Sequence, residues 1–229
     1  MCMRYEDFLA RLKEERVSRG LSQEEMGKKL GMAQSHYCKA ETGLQRFTYA
    51  EMKRLCKTEL DIYYIFTGNR CSTQYQKFFM DCTYEELKCC LAVLCPIASY
   101  LQRKGRLELG EVSSRKAESV PYSLAARKDE KTVFYHLRRR FDCNQKKMAE
   151  ILDVDVKKVR NLEYGKKYPD SELIWKASEE LGLPFALILD DEDGLRAEVA
   201  HFAELIGVDA RGKMLERLKI IYDMIRKRR

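Results

Sequence analysis

The sequence contains only four prolines and one tryptophan in 229 residues, and it has no long uninterrupted apolar run. A helix that spans a bilayer needs about 20 consecutive apolar residues, so we expect no membrane partner. The first residues, MCMRYEDF, are polar and lack the apolar region of a secretory signal peptide. We therefore expect a globular protein that stays in the cytoplasm.

Histidine is also scarce, and the nine cysteines contain no Cys-x-x-Cys pair. Zinc sites show regular cysteine spacing and disulfide frameworks show even cysteine numbers, and this chain has neither. We expect reduced thiols that pack as small apolar side chains, with no metal and no other cofactor. A redox or metal sensor in the cluster from Cys82 to Cys95 is the alternative.

The sequence lacks the motifs of common enzyme sites. It has no glycine-rich phosphate loop, no paired carboxylates with a catalytic partner and no Cys/His metal set. The acidic run Asp190–Asp193 could hold a divalent cation, although we favour a loop between helices. We predict that the protein is not an enzyme and has no catalytic residues. Its net charge of +7 is compatible with a polyanionic partner without requiring one.

Helical signals are present along nearly the whole chain and predict an all-α fold. Near the start, apolar residues at helical spacing stop before Gly20; they are Phe8, Leu9, Leu12 and Val17. Ser22 then has the character of a helix cap, and Gly31 and Gly43 are placed to end the next two helices. Two further helices are predicted, over Tyr49–Cys56 and Asp61–Phe66.

The sequence repeats itself after a shift of 122 residues, without a gap. The shift superposes Arg16 on Arg138, Gln23 on Gln145, Met26 on Met148, Leu30 on Leu152, Glu41 on Glu163 and Gly43 on Gly165. The chain therefore contains the same supersecondary unit twice.

The region between the two copies is different. Thr83 and Glu86 form a capping-box pattern, and an apolar helical stripe follows, which Pro96 should kink or divide. The stripe consists of Leu87, Leu91, Leu94, Ala98 and Leu101. The stretch Gly105–Lys128 has the composition of a linker.

Two more apolar stripes follow the second copy, over Leu195–Ile206 and Met214–Ile225, and the chain ends in the basic tail Arg226–Arg229. The stripes are candidates for homodimerisation or for packing onto their own domain.

The segment GLSQEEMGKKLGMAQSHYCKAETG, from Gly20 to Gly43, resembles the helix-turn-helix core of the Cro/phage-repressor family, also called the xenobiotic-response-element (XRE) type. This is a family of bacterial or phage type, and its five-helix domain would cover roughly residues 5–69. The second copy, FDCNQKKMAEILDVDVKKVRNLEYG, departs more, because Asp142 and Asp153 stand where the first copy has glycines. There the resemblance covers roughly residues 129–190.

The resemblance implies two lambda-repressor-like five-helix domains joined by a helical middle region. We expect a first helix-turn-helix domain over residues 1–70 and a connector and linker over residues 71–128. A second, divergent domain would occupy residues 129–190, and residues 191–229 would form C-terminal helices that are candidates for dimerisation.

In this family the second helix of the pair lies in the major groove, which presents a distinct pattern for each base pair. The packed side between the two helices would consist of Met26, Leu30, Met32, Tyr37 and Ala40. The outward side of the second helix would consist of Gln34, Ser35, His36 and Lys39. Gln34 can bond bidentately to adenine, and Lys39 can reach guanine or a phosphate. Gln23 stands at a helix amino end, where backbone N–H groups favour a phosphate.

In the second copy Gln145 takes the place of Gln23, and Asp155 is a candidate helix cap. The outward residues would be Lys157, Lys158 and Asn161, which suit phosphate and adenine contacts. A divergent copy that serves only for packing or dimerisation is the alternative. The resemblance also implies internal salt bridges that hold each unit together, Arg16 with Glu41 and Arg138 with Glu163.

These features predict a sequence-specific DNA-binding transcriptional regulator, most simply a repressor, whose partner is double-stranded DNA. The alternative is an interaction module of the antitoxin type, in which the second unit and the middle region bind a protein or a small effector. In that case the apolar stretch Thr83–Gln102 would cover the partner.

Overall fold

The computed structural model describes residues 4–70, 73–125 and 132–207. These ranges contain fourteen α-helices and no strands, which confirms the predicted all-α class. The first five are α1 (Tyr5–Ser18), α2 (Gln23–Leu30), α3 (Gln34–Glu41), α4 (Tyr49–Leu55) and α5 (Ile62–Thr67). Three occupy the middle of the chain: α6 (Thr73–Phe78), α7 (Tyr84–Arg103) and α8 (Glu111–Ala125). The last six are α9 (Val133–Arg140), α10 (Gln145–Leu152), α11 (Val156–Glu163), α12 (Ser171–Glu179), α13 (Phe185–Leu189) and α14 (Glu192–Ile206).

Helices α1–α5, which we call the first unit, and α9–α13, the second unit, repeat one another in register. Both ends of α2 lie 122 residues before those of α10, and the same separation relates α3 to α11. Helices α4 and α12 also begin 122 residues apart. The sequence repeat therefore corresponds to a repeat of secondary structure.

The turns between these helices repeat as well, although glycines stand in one copy and aspartates in the other. Gly31 ends α2 with φ +70°, and Asp153 ends α10 with φ +53°. Gly20 and Asp142, which precede these helices, also have positive φ. Aspartate is one of the few residue types other than glycine that enters the left-handed region. The two substitutions thus preserve the backbone path of the turn.

Side-chain caps begin several helices at the positions that the sequence predicts. Ser22 Oγ accepts from the Glu25 N–H at 3.2 Å, and the Glu25 carboxylate accepts from the Ser22 N–H at 2.8 Å. The predicted capping box of Thr83 and Glu86 is present in the same form at the start of α7. Each box satisfies two backbone N–H groups that the helix itself leaves without a partner.

The stretch predicted as a linker is a helix over most of its length. Helix α8 buries Ala117 and Val120, and Ser119 Oγ donates to the Leu181 carbonyl at 2.7 Å. The serines that suggested a linker are therefore used in tertiary hydrogen bonds. The predicted linker's last residues, 126–128, lie outside the described ranges.

The middle stripe is covered by helices of the same chain. Helix α7 continues through Pro96, so the proline does not divide it. Helices α8 and α14 pack against α7, and the buried residues of its stripe are Leu87, Leu91, Leu94 and Ala98. The apolar stretch Thr83–Gln102, which the sequence suggested as a partner-binding surface, is thus largely covered by helices α8 and α14.

The first C-terminal stripe is also internal, because Leu195, Val199 and Phe202 of α14 are buried against α6 and α7. This part of the predicted dimerisation surface is therefore occupied within the chain. The second stripe, Met214–Ile225, and the basic tail lie outside the described residues. Val17, which shares the helical spacing of the buried Phe8, Leu9 and Leu12, is 57% exposed.

Side chains of both units contribute to one continuous core. The rings of Phe66 and Phe185 stack in parallel with centroids 4.1 Å apart. The hydroxyls of Tyr5 and Ser171 lie 2.6 Å apart in a buried hydrogen bond. The units therefore pack directly on one another, which the predicted division into domains joined by a connector did not include. No described helix is long and apolar enough to cross a membrane.

Candidate nucleic-acid interface

Helix α3 is held against α2 by a small apolar contact. Met26, Leu30, Tyr37 and Ala40 are buried, and Met32 is half-buried. Gly27 brings the helices close, because a Cβ at this position would lie 3.0 Å from the Met32 carbonyl oxygen and 3.5 Å from the Tyr37 Cβ. The second unit has the small, buried Ala149 at the equivalent position.

A buried carboxylate fixes the carboxyl end of α3. Glu41 Oε1 accepts from Arg16 Nε at 2.6 Å and from the Tyr37 hydroxyl at 2.9 Å, and Oε2 accepts from Gln23 Nε2 at 2.8 Å. Arg16 Nη1 also donates to the Leu21 carbonyl at 2.6 Å. Burial alone would raise the pKa of Glu41, but the hydrogen bonds from Arg16, Gln23 and Tyr37 outweigh it and lower the pKa. Glu41 is therefore ionised and connects α1, α2 and α3.

The second unit repeats this network with the equivalent residues. Arg138 forms an ion pair with the buried Glu163, and Gln145 Nε2 donates to Glu163 Oε2 at 2.7 Å. Arg138 Nη1 donates to the carbonyl of Cys143, which stands where Leu21 stands in the first unit. Val159 replaces Tyr37, so the phenol hydrogen bond of the first unit has no equivalent here.

The two glutamines predicted to contact phosphate are thus turned inward. Gln23 and Gln145 are half-buried, and each donates its side-chain amide to the central glutamate. The signal for this arrangement was in the sequence, because both glutamines recur with both glutamates at the same separation.

The outward face of α3 carries the predicted polar side chains. Gln34, Ser35, His36 and Lys39 are all exposed. Because Tyr37, Ala40 and Glu41 are buried on the other side of the same helix, these four project away from the domain. The helix therefore presents hydrogen-bond donors and acceptors on a surface whose geometry is fixed from behind.

Helix α11 presents a different outward face. Asp155 caps it, accepting from the Lys158 N–H at 2.7 Å. Lys157 is exposed, whereas Asn161 and Lys158 are half-buried, and Lys158 forms an ion pair with Asp170 at 3.0 Å. Arg160, which was not among the predicted contacts, is exposed on α11.

The position of Gln34 is taken by Val156 in the second unit, and Val156 is 36% exposed. An apolar side chain at a reading position can contact the methyl group of thymine but cannot form a bidentate hydrogen bond. The two outward faces therefore differ in chemistry while the scaffold behind them is the same.

The loops that follow α3 and α11, together with the first turns of α4 and α12, bring the two units together. Ser171 and Phe47 exchange two hydrogen bonds, of 3.0 and 3.1 Å, and Tyr49 stacks on Tyr168 with centroids 4.6 Å apart. Arg46 forms an ion pair with Glu172 at 2.6 Å. The carboxyl ends of both outward helices thus lead directly into the contact between the units.

The described residues hold no group of three or more His, Cys, Asp and Glu side chains placed to bind a metal ion. Burial raises the pKa of the Cys95 thiol well above its ordinary value, which disfavours the reactive thiolate. Asp191, from the acidic run, caps α14 by accepting from the Gly194 N–H at 3.0 Å.

The family model of a helix-turn-helix domain matches residues 7–58. This match contains α2 and α3 with their turn, together with α4 and most of α1. It supports a helix-turn-helix domain in the first unit. No curated protein matches the chain. No solved structure matches it either.

Proposed function

We propose that this chain is a sequence-specific, double-stranded DNA-binding transcriptional regulator of the Cro/phage-repressor (XRE) type. The observation that carries the proposal is the outward face of α3, where four polar side chains project from a helix fixed by the buried Glu41 network. A reading helix needs this combination, because base contacts depend on the register of the helix in the groove.

Within this face we assign base reading to Gln34 and Lys39, with Ser35 and His36 as adaptable neighbours. Gln34 would bond to adenine and Lys39 to guanine or a phosphate. To Gln23 and Gln145 we now assign a positioning role, because their amides already donate to Glu41 and Glu163.

The second unit is proposed to be a second reading head with its own preference. Its exposed Lys157 and Arg160 supply positive charge, Lys158 and Asn161 lie beside them half-buried, and Val156 supplies an apolar contact. The repeated scaffold supports this proposal, since a copy kept only for packing would not need the same turn conformation and the same Arg–Glu–Gln network. The boundaries of the two heads are proposed at residues 1–70 and 129–190.

Because the two heads contact each other within one chain, we propose that they read an asymmetric site with two dissimilar half-sites. We further propose that the protein acts as a repressor by occupying this site, without catalytic activity. A homodimer is not needed to place two heads on one duplex, although dimer formation through the C-terminal region would extend the site.

Selection of bound duplexes from a random library tests the proposal. Two dissimilar half-sites at a fixed separation are expected, with specific binding about 10³-fold or more tighter than binding to random duplex. A single half-site would show that only one head reads bases. Failure to enrich any sequence, at salt concentrations where nonspecific binding is weak, would reject the regulator function.

A further inference from the structure

A cavity of about 250 Å³ lies where the two units and helix α8 meet. Helix α5 contributes Tyr63 and Thr67, and the first turns of α8 contribute Val112 and Lys116. Glu179, the last residue of α12, and Glu180, which caps this helix, complete the set. Pockets for drug-sized ligands have volumes of about 300–1,000 Å³. This cavity therefore suits a smaller molecule.

Glu179 gives the cavity its chemical character. Glu179 is only 4% exposed. Its buried Oε1 accepts no hydrogen bond from any residue in the described ranges. An ionised carboxylate buried without hydrogen bonds is costly, because it loses its hydration and gains no donor in exchange. Glu179 thus lines the cavity and has one buried carboxylate oxygen to which no described residue donates.

The neighbouring cations Lys116 and Arg115 donate to acceptors other than the Glu179 carboxylate. Lys116 pairs with the buried Glu198 at 3.1 Å, and Arg115 donates to Glu111 and to the backbone carbonyl of Glu179, both at 2.7 Å. Burial raises the pKa of Glu179, and the charges of Lys116, Arg11 and Arg115 offset this rise only in part. The nearby positive charges favour the ionised form of Glu179, but no described group donates a hydrogen bond to its Oε1.

We propose that this cavity binds a small organic cation, an alkylammonium or guanidinium compound, whose N–H groups donate to the carboxylate of Glu179. The exposed Glu180 adds negative charge at the cavity wall. The buried Tyr63 ring, over which Lys116 Nζ lies at 5.8 Å, forms another part of the wall. The ligand would replace the missing donor and neutralise the buried charge.

The position of the cavity implies a consequence for DNA binding, which rests on the proposed function. The walls come from α5 of the first unit, α12 of the second unit and α8, and α8 also packs on α9. A ligand in contact with all three walls would stabilise one arrangement of the two reading heads.

The test measures ligand binding without DNA, using the full chain. The thermal unfolding midpoint is followed with butylamine, 1,4-diaminobutane and agmatine, and with butyrate and 1-butanol as matched anionic and neutral compounds. At least one amine should raise the midpoint by about 5 °C or more when its concentration is a hundred times its dissociation constant. Butyrate and butanol should have no such effect.

Glu179→Gln should weaken amine binding at least ten-fold, whereas Glu6→Gln, which alters an exposed carboxylate on α1, should leave it unchanged. If Glu179→Gln does not fold, Val112→Phe, which fills the cavity from α8, should abolish the response instead. The proposal is wrong if no amine shifts the wild-type midpoint, or if the folded variant responds as the wild type does.

A second measurement separates this site from the regulator function. The affinity of the selected duplex is determined with and without the amine. A change in affinity supports coupling to the heads, and no change rejects the coupling but not the cavity site. Absence of any duplex preference rejects the proposed function, and the amine titration decides the cavity site independently.

Discussion

Gln34 and Lys39 are the side chains of α3 with the most specific base chemistry, and both are exposed. Gln34→Ala should weaken binding to the selected site by about 1–3 kcal/mol and relax the preference at one base pair. Competition between the selected duplex and its single-base variants measures both effects. Gln74→Ala removes an exposed glutamine from α6 and serves as the control. An unchanged base preference in Gln34→Ala would remove this residue from the reading face.

Asp153 adopts the left-handed conformation, with φ 53° and ψ 52°, at the end of α10. Its ion pair with Lys176 is 3.5 Å long and the Asp153 side chain is 90% exposed, so the pair contributes little. Asp153→Gly should therefore raise the free energy of unfolding by up to about 1 kcal/mol, and Asp153→Ala should lower it by about 1 kcal/mol. Urea unfolding measures both changes, and Asp153→Asn, which tolerates the same conformation, should be near neutral. A more stable alanine variant would contradict this view of the turn.

At the scale of elements, α11 differs from α3 mainly in charge. If the second unit touches DNA, Lys157→Ala together with Lys158→Ala should reduce affinity and lower the salt dependence, with a slope change of about 0.9 for each phosphate that is no longer neutralised. The change is expected to be nearer to one phosphate than two, because Lys158 is already paired with Asp170. Binding titrations at several salt concentrations give the slope.

The matched control for this pair is Arg103→Ala with Lys104→Ala, which removes two exposed charges at the end of α7. If the lysine variant has the wild-type slope, α11 does not contact phosphates and the second unit serves as a scaffold.

Asp191 precedes α14 and caps it. Burial raises the pKa of Asp191 to about 6, whereas an unfolded chain has an ordinary value of about 3.9. Between these two values the folded state holds a proton that the unfolded state has lost, so this contribution to stability falls as the pH rises. The loss is at most about 3 kcal/mol by pH 7.

Asp191→Asn keeps a good helix cap without the titration. The variant should gain stability relative to the wild type as the pH rises from 4 to 7, which unfolding measurements across this range would detect. Asp155→Asn, in the exposed cap of α11, controls for the change of cap residue itself. A constant difference between wild type and Asp191→Asn across the range would show that Asp191 does not titrate there.

For the whole molecule, the sequence predicts those features that depend on local patterns of residues. The helix bounds of α2 and α3, the register of the repeat and the capping box at Thr83 depend on neighbouring residues, so periodicity and cap types predict them. The linker-like composition of Gly105–Lys128 did not indicate helix α8, because serine and glycine content only correlates with loops. Helix α8 forms since Ala117 and Val120 find apolar partners that are distant in sequence.

The contact between the units depends on such distant partners as well. No local pattern indicates that Ser171 hydrogen-bonds to both Tyr5 and Phe47. Serine is common at helix starts, so its presence there does not point to distant partners. The candidate reading face was predictable since it needs only one short helix, whereas the relation between two faces requires the packed core.

The packed core fixes how the two outward faces are placed relative to one another. The stacked Phe66 and Phe185, the hydrogen bonds of Ser171 and the Arg46–Glu172 pair hold the heads in one arrangement. Insertion of five base pairs between the selected half-sites would turn one half-site to the opposite side of the duplex, and ten would move it about 34 Å along the axis. Rigid heads cannot follow either change, so both insertions should reduce affinity to that of a duplex with one scrambled half-site.

Heads joined only by a flexible segment would instead recover part of their joint affinity at ten base pairs, because a tether tolerates a change of separation at a modest entropic cost. Tyr5→Ala combined with Arg46→Ala removes two contacts between the units. This variant should therefore recover part of the joint affinity for the duplex with the ten-base-pair insertion. Full affinity of the wild type for the ten-base-pair insertion would show that the contact between the units opens on DNA, and that the arrangement of the free chain does not set the spacing of its site.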